Sequence, residues 1–236
     1  MTSSATVDVE EMLREVTENM KMLESSPNVS RISRERLREL AEQNAIKTVY
    51  GNLVFMTSVR NRSAGLTVYV GSPRIMNYQK LSEKQMDILE RIPETIDKVH
   101  KYVKKAPLVR IDKVMGSNEE FTPLCTMYVS VQRRDSIRLA YMLDLLLFDE
   151  NEVVLGKDRP HLRLLYIPEW QEKDRQILVF PEIGVTYVLG SDYFGEAKKG
   201  FLRMAMWCAK QRGFLGVHAG AKIVRARDPD GRLRRY

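Results

Sequence analysis

The sequence has 236 residues, of which 44% are hydrophobic and 29% charged, and its formal net charge is +7. A chain of this length buries enough apolar surface to fold without disulfides, as one large domain or two small ones. Cys125 and Cys208 lack CxxC spacing and indicate a reducing compartment, hence the cytoplasm. No signal-like N-terminus and no apolar run of ~20 residues occurs, so we expect a soluble protein without a membrane span.

Apolar periodicity and capping residues predict the helices. They are expected over 7–23, after a cap at Ser33, over 81–103 with a bend or break at Pro93, and over 135–147. Runs of β-branched and aromatic residues predict strands over 46–56, 66–70, 108–115 and 124–131.

The second half of the chain predicts three closely spaced strands and a long helix. The strands are expected over 162–167, 176–180 and 185–189, with a turn at Gly184. The helix should begin near Gly195 and end by Gly213, followed by a strand over 214–217. Helices and strands mix without strict alternation, so the predicted fold class is α/β, a mixed sheet flanked by helices in a single domain.

The C-terminal residues combine a turn signal with strong positive charge. Asp228-Pro-Asp-Gly231 predicts a hairpin. The last fifteen residues carry six basic and two acidic side chains, which leaves +4. This basic end is either a solvated tail or a site for an anion such as nucleotide, phosphate or carboxylate. Nucleic-acid binding is not expected, because no RNP-like strand, Cys/His finger or basic heptad helix is present.

The stretch 190–220 is the most unusual of the sequence. A strand ends at Gly190 and a helix follows within a few residues, with Asp192 as a possible cap. Free N–H groups and the helix dipole make such a junction a ligand site. Lys198 and Lys199 fall in the first turns, where cations are disfavoured. Either an anionic or metal partner compensates for them, or both lysines reach into solvent.

His218 lies after a short apolar segment and before small residues that leave room for a ligand. By pattern alone, a single histidine is more often a packed or exposed side chain than a metal ligand. His100 and His161 have no better context and are interpreted as structural or exposed.

Tyr193-Phe-Gly-Glu-Ala-Lys-Lys-Gly200 resembles the Tyr-Gly-Gly-Glu-x-Lys-Lys-Gly motif of ATP-dependent phosphoenolpyruvate carboxykinases. His218 follows Lys199 by 19 residues, which agrees with the spacing of that family. Asn61-Arg62-Ser63 resembles its Gly-Arg-Ser-Pro loop. The likeness is specific over 190–220 and looser elsewhere. Phe194, Ala64 and Ala219 depart from the common pattern and indicate a divergent branch.

The resemblance implies roles for six residues. Lys199 and His218 would bind the catalytic Mn²⁺, with an aspartate outside this chain as third ligand, and Lys199 would be a neutral amine. Lys198 would hold the carboxylate or CO₂, and Tyr193 would line the pocket for phosphoenolpyruvate or CO₂. Arg62, or Arg60 in the other register of the loop, would grip an oxaloacetate carboxylate in a bidentate fork.

The family converts oxaloacetate and ATP to phosphoenolpyruvate, CO₂ and ADP in gluconeogenesis, with Mn²⁺ and Mg²⁺-ATP. Its reaction needs a Gly-x-x-x-x-Gly-Lys-[Ser/Thr] phosphate loop, which this sequence does not contain. We therefore expect 1–213 to form the oxaloacetate-binding N-terminal domain and 214–236 to begin the nucleotide-binding domain. Such a part would be inactive alone, with no tightly bound cofactor. The alternatives are a stand-alone protein that binds a dicarboxylate or a protein partner, and an unrelated α/β protein with a chance motif.

Overall fold

The computed structural model describes residues 8–58, 63–171, 175–220 and 222–235. Its helices are α1 (Val9–Glu24), α2 (Arg34–Glu42), α3 (Pro73–Met76), α4 (Glu83–Glu90), α5 (Ile92–Val103), α6 (Ile137–Leu146) and α7 (Gly195–Gln211). Its strands are β1 (Val29–Ser30), β2 (Ile46–Lys47), β3 (Leu53–Val54), β4 (Thr67–Tyr69), β5 (Leu108–Val114), β6 (Leu124–Ser130), β7 (His161–Ile167), β8 (Gln176–Phe180), β9 (Val185–Leu189), β10 (Arg225–Arg227) and β11 (Leu233–Arg235).

A seven-stranded mixed sheet forms the centre of the fold, in the order β1-β5-β6-β7-β9-β8-β4. Strands β6, β7 and β9 are parallel to one another, whereas β5 and β8 run antiparallel to their neighbours β6 and β9. The carboxyl ends of β6, β7 and β9 therefore meet at one edge of the sheet. The mixed α/β class predicted from the sequence is confirmed.

Helices cover both faces of the sheet. Alternate residues of each central strand point to opposite sides: Leu164 and Tyr166 join a core with α2, α6 and α7, whereas Leu165 and Ile167 join a core with α1, α4 and α5. Burial on both faces explains why β7, β8 and β9 are almost continuously apolar in sequence.

Most predicted boundaries are confirmed, and the local chemistry explains them. The hydroxyl of Ser33 accepts a hydrogen bond from the Arg36 N–H at 3.3 Å and caps α2. The predicted break near Pro93 is real, because α4 ends at Glu90 and Pro93 lies in the first turn of α5. Gly184 and Gly213 have positive φ angles of 63° and 81°, which suit glycine in the β8–β9 turn and after α7.

Two strand predictions are wrong. Residues 46–56 form a small hairpin, β2–β3, rather than one strand, because Gly51 adopts a φ of 80° and reverses the chain. Residues 214–217 are not a strand but coil that follows α7. The predicted C-terminal hairpin is confirmed, with Arg225 opposite Arg235 across β10 and β11. Among the described residues, no helix is long and apolar enough to cross a membrane.

Candidate active site

The candidate site lies where β6, β7 and β9 end together. In α/β sheets, ligands bind in the crevice outside the carboxyl ends of the strands, because the connecting loops and helix N-termini converge there. Here the residues after β9, 190–194, lead into α7, and the residues after β6 lead into α6. The Tyr193–Gly200 motif of the sequence, here called the α7 motif, therefore lies at the edge of the sheet where a site is expected.

Asp192 is buried beneath this edge and connects several of its segments by hydrogen bonds. Its side chain accepts a hydrogen bond from Nη2 of Arg138 at 2.9 Å, and the same nitrogen donates to the Asp192 carbonyl at 3.1 Å. Both residues are almost inaccessible, at 1% and 3% exposure. The prediction that Asp192 caps α7 is therefore wrong: the N-cap residue is Phe194, which makes no side-chain capping bond. Asp192 serves as the counter-charge of a buried arginine.

Ser58 ties a distant loop to the same carboxylate. Its backbone N–H and its hydroxyl each donate to Oδ2 of Asp192 at 2.8 Å. Arg60 and Arg62, the predicted carboxylate-binding residues, follow within four positions but lie outside the described residues. The start of their loop is consequently fixed one residue away from Tyr193.

Tyr193 is held by its backbone, whereas its ring remains accessible. Its carbonyl accepts a hydrogen bond from the Tyr166 hydroxyl at 2.8 Å, and its N–H donates to the Ser191 hydroxyl at 3.3 Å. Burial raises the pKa of Tyr166, so that hydroxyl stays protonated as a donor. The Tyr193 ring lies against Gly195, where a Cβ would come within 2.3 Å of Cε1. Because Gly195 has no Cβ, the Tyr193 ring can pack against it, and Tyr193 remains 36% exposed.

Glu196 and the two lysines occupy the first turns of α7. Glu196 is buried and forms an ion pair with Arg203 at 3.4 Å. Lys198 and Lys199 are exposed, as the sequence predicts for side chains that reach a ligand or solvent. The structure shows neither lysine with an ion-pair partner among the described residues. Because Glu196 is buried and both lysines are exposed, the surface of α7 at the site is positively charged.

His218 lies on a segment that turns back along α7. The N–H of Phe214 donates to the Ala209 carbonyl at 3.0 Å, and a Cβ on Gly216 would come within 2.7 Å of Cγ of Met206. Met206 is seven residues past Lys199, about 10 Å along the helix axis. His218 itself is exposed. The return segment therefore heads from the end of α7 towards its lysines.

Lys199 and His218 both carry nitrogen atoms that can bind a metal ion. A lysine amine and a histidine imidazole supply two nitrogens, and His218 has no hydrogen bond to any described residue. Over 8–58, 63–171, 175–220 and 222–235, no three His, Cys, Asp or Glu side chains are grouped as metal ligands.

Arg138 and Ser58 were not predicted from the sequence. The signal for Arg138 was present, because it is a charged residue within the apolar run Ile137-Arg-Leu-Ala-Tyr141, and a buried arginine needs a partner. Asp135 is a local partner, at 3.4 Å from Nη1, but nothing local identified Asp192, which is 54 positions away. Ser58 carries no sequence signal that we can identify.

His100 and His161 agree with the structural role predicted for them. Nε2 of His100 lies 3.0 Å from the Tyr187 hydroxyl, and burial lowers its pKa from 6.5 to about 4. Nε2 of His161 lies 2.9 Å from the Thr126 hydroxyl, and burial also lowers its pKa. Both histidines are therefore partnered side chains away from the α7 motif.

Comparison with known proteins identifies a family. A protein-family model described as phosphoenolpyruvate carboxykinase, of the ATP type, matches residues 25–231. A relative in Aeropyrum pernix, phosphoenolpyruvate carboxykinase (ATP), is 47% identical over 55 residues. That match covers 23% of this chain and only 11% of the relative.

Proposed function

The chain belongs to the phosphoenolpyruvate carboxykinase family, and we propose that it supplies the oxaloacetate-binding part of an ATP-type enzyme. The full reaction would convert oxaloacetate and ATP to phosphoenolpyruvate, CO₂ and ADP. The observation that carries this proposal is the pair of Ser58 hydrogen bonds to Asp192, at 2.8 Å each. They anchor the start of the loop that carries Arg60 and Arg62, here called the arginine loop, beside the α7 motif. The two segments are far apart in sequence.

Arg62 is the proposed carboxylate ligand, with Arg60 as the alternative register. A guanidinium presents parallel N–H donors that match both oxygens of a carboxylate, so the substrate would be oriented as well as bound. The accessible ring of Tyr193 would then form one wall of the pocket, supported by its proximity to Gly195. Lys198 would neutralise the second carboxylate or the CO₂ that leaves.

Lys199 and His218 are the proposed protein ligands of a divalent ion, for which we propose Mn²⁺. Their exposure and the direction of the return segment after α7 support this assignment. A bound divalent ion would supply a Lewis acid that stabilises negative charge on the substrate oxygen. Ligation requires the unprotonated amine, so metal binding by Lys199 would release a proton.

The nucleotide would be bound by protein that this sequence does not include. A phosphate-cradling loop is absent from the 236 residues, and phosphoryl transfer depends on such a loop to position ATP. We propose that the chain is inactive alone and that the complete enzyme acts in the cytoplasm, in gluconeogenesis.

Calorimetric titration of the chain with oxaloacetate, with and without Mn²⁺, tests the proposal. We expect weak binding that Mn²⁺ strengthens, and at least tenfold weaker binding after Arg62→Ala, or about 1.4 kcal/mol. Arg62→Lys keeps the charge but loses the fork and should recover little of the affinity.

The same titration with Arg60→Ala identifies the register of the loop. An effect of Arg60→Ala with none of Arg62→Ala would transfer the role to Arg60. Unchanged binding in both variants would refute the proposed carboxylate site. Tight binding that is indifferent to Mn²⁺ would instead indicate a stand-alone dicarboxylate-binding protein.

A further inference from the structure

A cavity lies at the opposite edge of the sheet from the candidate active site. Strands β4 and β8 run antiparallel to β9, so their carboxyl ends, at Tyr69 and Phe180, face away from Asp192. The cavity opens between these ends and the last turns of α7 and has a volume of about 650 Å³. That volume is within the range of about 300–1,000 Å³ typical of small-molecule sites.

Three aromatic side chains line this cavity: Tyr69, Tyr78 and Trp207. Tyr69 and Trp207 are half-buried, whereas Tyr78 is 86% exposed. A tyrosine ring this exposed gains little from folding, although its face is available to stack on a planar ligand. The aromatic lining favours a ligand that contains a flat ring.

The wall that carries Tyr78 is fixed before any ligand binds. The side chain of Gln79 accepts a hydrogen bond from the Tyr69 N–H at 2.8 Å and donates to the Tyr69 carbonyl at 2.6 Å. These two bonds satisfy the backbone of β4 at the edge of the sheet, much as a neighbouring strand would. Because the segment is already ordered, less conformational entropy is lost on binding.

The cavity also contains two basic side chains. Arg74 and Lys210 line it and are exposed, and the side chain of neither forms an ion pair or hydrogen bond with any described residue. The acid beside them, Glu182, accepts the Ser72 N–H through Oε2 at 2.9 Å and forms no ion pair with either cation in the described part of the chain. The same oxygen lies 2.7 Å from where a Cβ of Gly71 would be, which fixes the carboxylate against the backbone. The two cations are therefore available to an anion.

We propose that this cavity binds a nucleoside monophosphate, with the base against Trp207 and Tyr78 and the phosphate on Arg74 and Lys210. The aromatic base can stack on the aromatic side chains that line the cavity, and the phosphate can form ion pairs with Arg74 and Lys210. An inorganic anion would make no stacking contact with the aromatic side chains. An uncharged aromatic molecule would form no ion pair with the two cations. The site is separate from the proposed oxaloacetate site, at the other edge of the sheet.

Tryptophan fluorescence of the 236-residue chain tests the proposal. The sequence contains two tryptophans, so Trp170→Phe leaves Trp207 as the single reporter. Adenosine 5′-monophosphate should quench Trp207 saturably, with a Kd below about 1 mM. Adenosine and inorganic phosphate should each bind at least tenfold more weakly. Calorimetry on the unmodified chain gives the same affinities without the Trp170 substitution.

Matched charge variants decide between a built site and general electrostatic attraction. The double variant Arg74→Ala/Lys210→Ala should weaken binding of the monophosphate at least tenfold. The double variant Arg36→Ala/Lys98→Ala removes the same charge from exposed positions outside the cavity and should leave binding unchanged. Absence of saturable binding up to about 10 mM, equal binding of adenosine or phosphate, or equal loss in both double variants would overturn the proposal.

Discussion

Nη2 of Arg138 donates to the carboxylate of Asp192 at 2.9 Å, and both side chains are buried. This ion pair joins the N-terminus of α6 to the residues between β9 and α7. Its carboxylate also accepts both Ser58 hydrogen bonds, so one buried acid organises three segments of the candidate site.

Replacing Asp192 by asparagine should be strongly destabilising. Asp192→Asn keeps the shape of the side chain but removes the buried counter-charge of Arg138 and leaves it, among the described residues, only Asp135, at 3.4 Å and half-buried. Breaking a buried ion pair typically costs about 3–5 kcal/mol, and the contact with Asp135 should place the loss at the lower end of that range. Urea denaturation measures the free energy of unfolding. Ser58→Ala is the matched control, because it removes one hydrogen bond to the same acid and should cost about 1 kcal/mol. A loss below that of Ser58→Ala would contradict a central role for the ion pair.

Adding a methyl group at Gly195 should displace the Tyr193 ring without unfolding the chain. The new Cβ would lie 2.3 and 2.5 Å from two ring carbons and 2.7 Å from the hydroxyl of Tyr193, and a side chain at the surface can move away. Gly195 is the first residue of α7, where alanine has only part of its helix-interior advantage of about 1 kcal/mol over glycine, so the free energy of unfolding should change little. The chemical shifts of the Tyr193 ring should change and oxaloacetate should bind more weakly.

Gly220→Ala is the control for this substitution, since a Cβ there meets no atom within 4 Å. It should leave the Tyr193 signals unchanged. Unchanged Tyr193 signals in Gly195→Ala would show that the ring does not depend on the glycine.

Manganese should broaden the NMR signals of His218 selectively. The ion is paramagnetic, so even weak binding broadens nearby protons, and the other two histidines of the sequence serve as internal references. Lys199→Ala should reduce the broadening because it removes the second proposed nitrogen ligand. Lys198→Ala removes an equal charge from the adjacent position and should have a smaller effect. Equal broadening of His100, His161 and His218 would remove the metal assignment.

Stability should fall as the pH drops from about 6.5 to 4. Burial lowers the pKa of His100 from 6.5 to about 4, so over this range the unfolded chain binds a proton that the folded chain does not. Protonation therefore favours unfolding, and the stability present above pH 6.5 is lost towards pH 4. We expect a loss of about 1–2 kcal/mol from this residue, since part of the imidazole remains solvated.

The variant His100→Asn isolates this contribution. The free energy of unfolding of His100→Asn should depend less on pH than that of the unmodified chain between pH 4 and 6.5. His161, whose pKa is also lowered, contributes in the same direction in both proteins. An NMR titration of His100 with a midpoint near its ordinary pKa would contradict the expectation.

Local chemistry in the sequence determined most elements and the candidate motif. The strands β8 and β9 and the helix α7 follow from apolar runs and from glycines at 184 and 213, since these effects act within a few residues. The same locality explains the errors at 46–56 and 214–217. Strand composition is present in both, but a turn at Gly51 and the return of the chain along α7 override it.

Only the tertiary structure decided the strand order and the partners of the buried charges. Asp192 looked like a helix cap because its immediate neighbours suit one, yet its partners Arg138 and Ser58 lie 54 and 134 positions away. A buried arginine must find a counter-charge, and which acid it finds depends on how β6, β7 and β9 bring their ends together. The sequence alone determined the residues of the α7 motif, whereas folding determined that the arginine loop begins beside them.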